Sequence, residues 1–285
     1  MRVTYSINDG QEMDFFVPGR SQNMRWAAYS CNGFSAGVNP DTFRGPGFQS
    51  GYDPVWTDLL QKHAEEPFHA LVGGGDQLYC DGIVREPEMQ NWVSTKLPEK
   101  KRNYPLTEDM RFAIDRFYFN HYCQIFRSGA FARANSSIPM LNMLDDHDII
   151  DGFGSCIPIA YPRMVFLETA LESKLNPLVA LGRAGSMGLS GFVNKFNADA
   201  ELLDDLNDHW TAKSHKRERN WFIERMQHIA KDKHMRVTFL SGDVHCAAVG
   251  VLKTFVKGKN AVEIPPPMDY RYMLNVVSSA IVNTP

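Results

Sequence analysis

The chain has 285 residues, enough for one large core or two modest ones, and its 44% apolar and 22% charged residues are ordinary for a globular protein. A net charge of −3 and a pI near 6.3 give no support to a nucleic-acid partner. No apolar run approaches the roughly 20 residues of a membrane helix, so no membrane segment is expected.

The N-terminal MRVTYSINDG lacks the basic-then-apolar pattern of a secretory signal. Five cysteines without a CxxC pair argue against a disulfide framework or a zinc ribbon and for a reducing compartment. The expected location is therefore cytoplasmic.

In chain order, the first strand reads at Arg25–Cys31 (RWAAYSC), opening into the polar loop NGFSAGVNPD. A helix is predicted over Asp53–Glu66, with Asp53 as its cap, Pro54 in its first turn, and Trp56, Leu59, Leu60 and His63 on one face. Phe68–Gly73 (FHALVG) reads as a buried strand running into GGGDQLYCDG. Thr107–Arg127 reads as a helix capped by Thr107, with Phe112, Tyr118, Phe119 and Tyr122 forming an aromatic stripe expected in the core.

Ile138–Leu144 (IPMLNML) reads as a strand before DDHDIIDGFGS. Ser214–Lys233 forms a third helix, with Trp221, Phe222 and Ile229 apolar, and Met235–Leu240 a strand before SGDVHCAA. A last strand-like run, MLNVVSSAIV, closes the chain. Strands alternating with helices make the fold class α/β.

Ligands of layered α/β proteins bind beyond the carboxyl ends of the strands, and here the polar clusters follow strands in four places. Asp145, Asp146 and Asp148 surround His147. Without a cation, three carboxylates so close would raise one another's pKa, which argues for a bound metal. Asp243 and His245, two apart after a strand, would share a face in extended backbone, and metal and structural readings weigh equally there. Alone, Asp76 reads as readily as a turn residue. Cys31 reads first as a small buried side chain, and Tyr79 as a packing ring.

The segments GGGDQLYCDG, LDDHDIIDGFG and SGDVHCAA, in that order, resemble the PhoD-type alkaline phosphatases, within the wider calcineurin-like metallophosphoesterases. RFYFNHYCQIFRSGAFARANSSIP and HWTAKSHKRERNWF resemble a fungal branch of PhoD-related proteins. The resemblance implies one phosphoesterase domain over residues 1–285 on a layered calcineurin-like fold. It implies hydrolysis of small-molecule phosphate esters through a metal-activated water, with two or more metal ions, Fe(III) and Ca²⁺. By the same resemblance Asp76 bridges the metals, and Cys31, Tyr79, Asp146, Asp243 and His245 are further ligands. His147 is the catalytic group that touches phosphate.

The relatives carry a long segment after their counterpart of GFGS, whereas here GFGS runs directly into CIPIAYPR. The resemblance thus implies an internal deletion at the 155/156 junction and an incomplete fold. Two alternatives stand beside the active enzyme. One is a shortened, inactive relative that keeps its metals; the other is an all-helical HD-type phosphohydrolase, suggested by His147–Asp148.

Overall fold

The computed structural model describes residues 1–34, 38–151, 153, 215–242, 245, 247–258 and 262–282. The 155/156 junction and Asp243 lie outside the described residues. The chain divides into two compact units, the first containing Met1–Phe153 and Ala280–Pro285, the second most of the remainder.

The first unit begins with an antiparallel pair, β1 (Arg2–Tyr5) and β2 (Met13–Phe16). Its main sheet is parallel, in the order β5 (Met140–Asn142), β4 (Ala70–Gly73), β3 (Trp26–Asn32), β9 (Ala280–Val282). Three of the expected strands thus lie side by side and run the same way. Their loops leave from one end of the sheet, which is what brings distant motifs together.

Parallel neighbours need a crossover between them. Helix α1 (Asp53–Glu65) lies between β3 and β4 in the chain. Between β4 and β5 come α2 (Gln90–Val93), α3 (Pro98–Arg102), α4 (Glu108–Phe126) and α5 (Gly129–Ser137). The core joins Tyr29 and Leu71 from the strands to Trp56 of α1, Phe131 of α5 and Ile281 of β9. Trp56 is wholly buried; its ring lies 4.9 Å from those of Tyr29 and Phe131, and its Nε1 donates to Asn32 Oδ1 at 2.7 Å. The indole thereby buries its area and keeps its one polar group satisfied.

Two helix expectations need correction. Asp53 does not cap α1, whose N-cap is Tyr52. Its Oδ1 accepts from Ala130 N at 2.7 Å, so Asp53 satisfies a first-turn amide of α5. Gly129 has φ +60, and a Cβ there would come 2.5 Å from Asp53 Oδ1, so the approach requires glycine.

The aromatic stripe of α4 also divides. Phe112 and Phe119, seven residues apart, share an exposed face, while Tyr118 and Tyr122 share a half-buried one about 100° around the helix. The Thr107 cap is as expected, its side chain accepting from Met110 N.

The second unit contains α6 (Lys216–Lys233) and a sheet of order β6 (Thr238–Ser241), β8 (Met273–Val277), β7 (Ala248–Leu252). β6 and β8 are parallel, β7 and β8 antiparallel. Phe222 packs against Phe239, whereas Trp221 is exposed. The single run expected at MLNVVSSAIV is two strands, because the chain leaves β8 after Val277 and joins the first unit's sheet as β9. No helix among the described residues is long and apolar enough to cross a membrane.

Candidate metal centre

Three loops, each following a parallel strand, build the site. At the end of β3, Cys31 N donates to Gly75 O and Asn32 N to Asp76 O, at 3.1 and 2.7 Å. These bonds carry the ladder past the end of β4, so the GGGD turn stays fastened to β3. Asp76 itself is 1% exposed and has φ +54, a left-handed conformation that non-glycine residues seldom adopt.

Cys31 (φ +53) and His245 (φ +55) share that conformation. Such backbone persists where surrounding structure over-determines it, and it gathers at functional sites.

Past β5, Asp145 begins a short 3-10 turn, Asp146–Asp148, with a capping box between Asp145 and Asp148. The turn lies against the GGGD loop so closely that a Cβ on Gly75 would come 2.6 Å from Asp145 Cβ. The expectation that Asp145, Asp146 and Asp148 all repel and all need a cation is not what the structure contains. Asp148 is 0% exposed and accepts from Asp76 N (2.9 Å), Asp145 N (2.9 Å) and Leu78 N (3.1 Å). Burial raises its pKa while those amides act in the opposite direction. The side chain of Asp145 accepts from Asp146 N. Asp146 alone of the three converges on the ligand cluster with Asp76 and His147.

The ligand atoms of Asp76, Asp146 and His147 all lie within 4.8 Å of one another. His147 Nδ1 is 2.8 Å from Asp81 Oδ2, and Asp81 Oδ1 accepts from Asp151 N at 2.9 Å. That pairing fixes the ring and turns Nε2 away from Asp81. Burial alone would lower the His147 pKa. The bond to Asp81 and the charges of Asp146, Asp81 and Asp76 outweigh it and push the value up to about 10. Burial opposes ionisation of Asp81 too, yet its bonds to His147 and Asp151 N hold it below the usual carboxylate range.

Tyr79 lies flat beside His147, ring centroids 4.4 Å apart, with its hydroxyl 3.5 Å from Asp76 Oδ2. A Cβ on Gly33 would collide with the Tyr79 ring, so glycine there gives the ring its place. Cys80 is buried, and burial with the nearby charges of Asp148 and Asp81 pushes its thiol up to about 12. A thiol so held stays protonated and unreactive at neutral pH.

Helix α4 supports both loops. Tyr118 donates to Ile149 O at 2.5 Å, Tyr122 to Asp148 O at 2.7 Å, and His121 Nε2 lies 3.0 Å from Tyr79 O.

The structure therefore brings Asp76, Asp146, His147 and Tyr79 together at the ends of β4 and β5, with Cys31 at the end of β3. His245 belongs to the second unit, where it is exposed just after β6. Sequence reasoning missed Asp81 and the backbone role of Asp148. The signal for Asp81 was its place in the same loop, five residues after Asp76.

The donor set fits a cation. Asp76 and Asp146 offer carboxylate oxygens, and such donors suit divalent and trivalent metals. The turn at His147–Asp148 follows a parallel strand of an α/β unit, which removes the all-helical HD reading.

A solved structure of PhoD is similar at 13% identity, covering 95% of this chain and 60% of that one, with a TM-score of 0.43. An uncharacterized protein of Saccharomyces cerevisiae is 31% identical over 431 aligned positions, taking in 99% of this chain and 60% of the yeast protein. The chain thus spans about three fifths of that relative's length. A family profile for PhoD-related phosphatases matches residues 2–170 and 176–285, and the chain accordingly belongs to the PhoD-related phosphatase family.

Proposed function

We propose that this protein hydrolyses small-molecule phosphate esters with bound metal ions at Asp76 and Asp146. One observation carries the reading: Asp76, Asp146 and His147 converge within 4.8 Å in a chain of a phosphatase family. A cation held there would supply Lewis acidity and would lower the pKa of a bound water. The chain's own part is to hold and orient. Asp76 and Asp146 present their carboxylates to the ion, and Asp81 keeps the His147 ring fixed by its Nδ1. An imidazolium at His147 then points Nε2–H toward phosphoryl oxygen or a leaving alkoxide, where charge develops in the transition state.

The finer parts of the proposal are that Asp76 bridges two ions, that Cys31 and Tyr79 hold Fe(III), and that Asp243 and His245 complete the set around Fe(III) and Ca²⁺. A thiolate and a phenolate suit a trivalent transition ion, and carboxylates suit Ca²⁺. The fold is read as calcineurin-like layering, the two units forming one domain over 1–285 with an internal deletion at the 155/156 junction. The yeast alignment supports the deletion, since it runs over more positions than this chain has residues.

That same shortfall favours a second reading, a chain that binds metal without turnover. Asp76→Ala separates the cases when elemental analysis accompanies an aryl-phosphate assay. The active reading expects wild-type turnover and its loss, with both metals, in the variant. Metal retained stoichiometrically by an inert wild type establishes the second reading. Loss of one metal with the other kept at full occupancy removes the bridging role.

A further inference from the structure

We infer that Asp148 is a positioning residue whose buried carboxylate clamps the backbone around Asp76 and so aims the Asp76 side chain at Asp146 and His147. The inference rests on the metal-centre reading for its consequence, though not for its geometry.

A carboxylate has two oxygens, and both of Asp148 face backbone amides. Oδ2 takes Asp76 N and Asp145 N, one from each loop, and Oδ1 takes Leu78 N. One side chain thus ties the loop after β4 to the loop after β5. Charge-assisted bonds of this kind are short and stronger than neutral ones, and burial removes competition from water.

The effect falls on Asp76 itself. Asp148 holds the Asp76 N–H, and Asn32 N holds the Asp76 carbonyl at 2.7 Å. With both peptide groups fixed, φ at Asp76 is held at +54, where an L residue would otherwise relax. Asn32 is itself anchored, donating to Gln77 O and accepting from Trp56 Nε1. Asp148 lies one residue beyond His147 and two beyond Asp146, in the same turn. Fixing it therefore sets all three converging groups, and the Tyr122 hydroxyl on its carbonyl fixes it from α4.

Amide hydrogen exchange and Mn²⁺ titration of the full chain test this. In the wild type, the amides of Asp76, Leu78 and Asp145 should exchange as slowly as those of β4, although all three lie in loops. Exchange at ordinary loop rates overturns the clamp without need of any variant. In Asp148→Asn, exchange over 74–78 should rise about tenfold and Mn²⁺ affinity fall about tenfold, as for other groups that orient metal ligands.

Asp53→Asn removes the charge from an acceptor of the same type at α5, and should lower the unfolding temperature while leaving both readouts unchanged. If Asp148→Asn matches Asp53→Asn in both, Asp148 is only structural and the inference fails; unchanged Mn²⁺ affinity despite faster exchange overturns it as well. A wild type that binds no Mn²⁺ sinks the metal centre instead, while localised slow exchange there still supports the clamp.

Discussion

Two strand ends in this molecule carry nearly the same short text, and the first of them is fastened from several sides. β4 runs into Gly74–Gly75–Asp76, and β6 into Gly242–Asp243. After β4, the amide and carbonyl of Asp76 and the amide of Leu78 are each bonded to another element, and α4 braces the loop from outside. After β6, Asp243 lies outside the described residues and His245 is exposed.

Among the described residues, the buried apolar side chains are also unevenly shared between the units. The buried apolar residues of the first include Trp56, Tyr29, Leu71 and Ile138, whereas those described in the second are Ala230, Met273 and Val277. Val249, Phe255, Val262 and Met268 of the second are largely exposed. A ligand motif states which atoms are offered; packing decides whether they are held, and a site needs its donors fixed to about half an ångström.

The two tryptophans sharpen the contrast most. Trp56 is 0% exposed and Trp221 is 65% exposed. Trp56→Ala should cost about 3–5 kcal/mol of stability, and Trp221→Ala less than about 0.5 kcal/mol. Chemical denaturation of both variants measures this, and equal losses would erase the distinction between the units.

The histidines test it at the level of chemistry. His147→Ala should keep the metals and slow turnover by about 10²-fold or more, because one preorganised donor is removed. His245→Ala should instead release a metal. If His147→Ala strips a metal, the role given to that ring is wrong.

Much of this was legible in the sequence because it is local. A short apolar run followed by a polar, ligand-rich loop marks a strand; β4 and β5 fall within such runs, and β3 and β6 each overrun theirs by one residue. What escaped was decided by partners far along the chain. Asp53 reads as a cap for its own helix, yet its partner Ala130 is 77 residues away. Asp148 reads as a third metal-seeking carboxylate, yet one of its amides is 72 residues away. Backbone N–H groups have no residue type, so a side chain that serves them leaves no motif. Tyr118 and Tyr122 differ from Phe112 and Phe119 only in a hydroxyl and a helix angle, and those settle which pair reaches the loop carbonyls.

Asp81→Asn is the next smaller effect. It keeps the size of the side chain while removing the charge that fixes His147, so turnover should fall by about 10-fold to 100-fold. The alkaline side of the activity profile should change as well, because Asp81 contributes to the raised His147 pKa. An unaltered pH profile would detach Asp81 from that ring.

The smallest expected effect concerns pH and the joint between α1 and β4, in the first unit. His63 Nδ1 accepts from Phe68 N at 3.0 Å, so that ring is neutral with the proton on Nε2. Burial, then Arg25 and His69, lower the His63 pKa below its ordinary value near 6.5. The unfolded chain therefore binds the proton more readily than the folded one, and stability falls as pH drops below about 6.5. Protonated, His63 would set an N–H against the Phe68 N–H.

Between pH 7.5 and 5 the His63 contribution should lower the unfolding temperature by about 2–4 °C, against an opposite contribution from His147, whose raised pKa favours the folded chain as pH falls. His63→Asn offers an amide oxygen in place of Nδ1 and cannot titrate, so its profile should be flatter over that range. A profile as steep as the wild type's would show that the acid sensitivity comes from elsewhere and that the α1–β4 joint is indifferent to protonation.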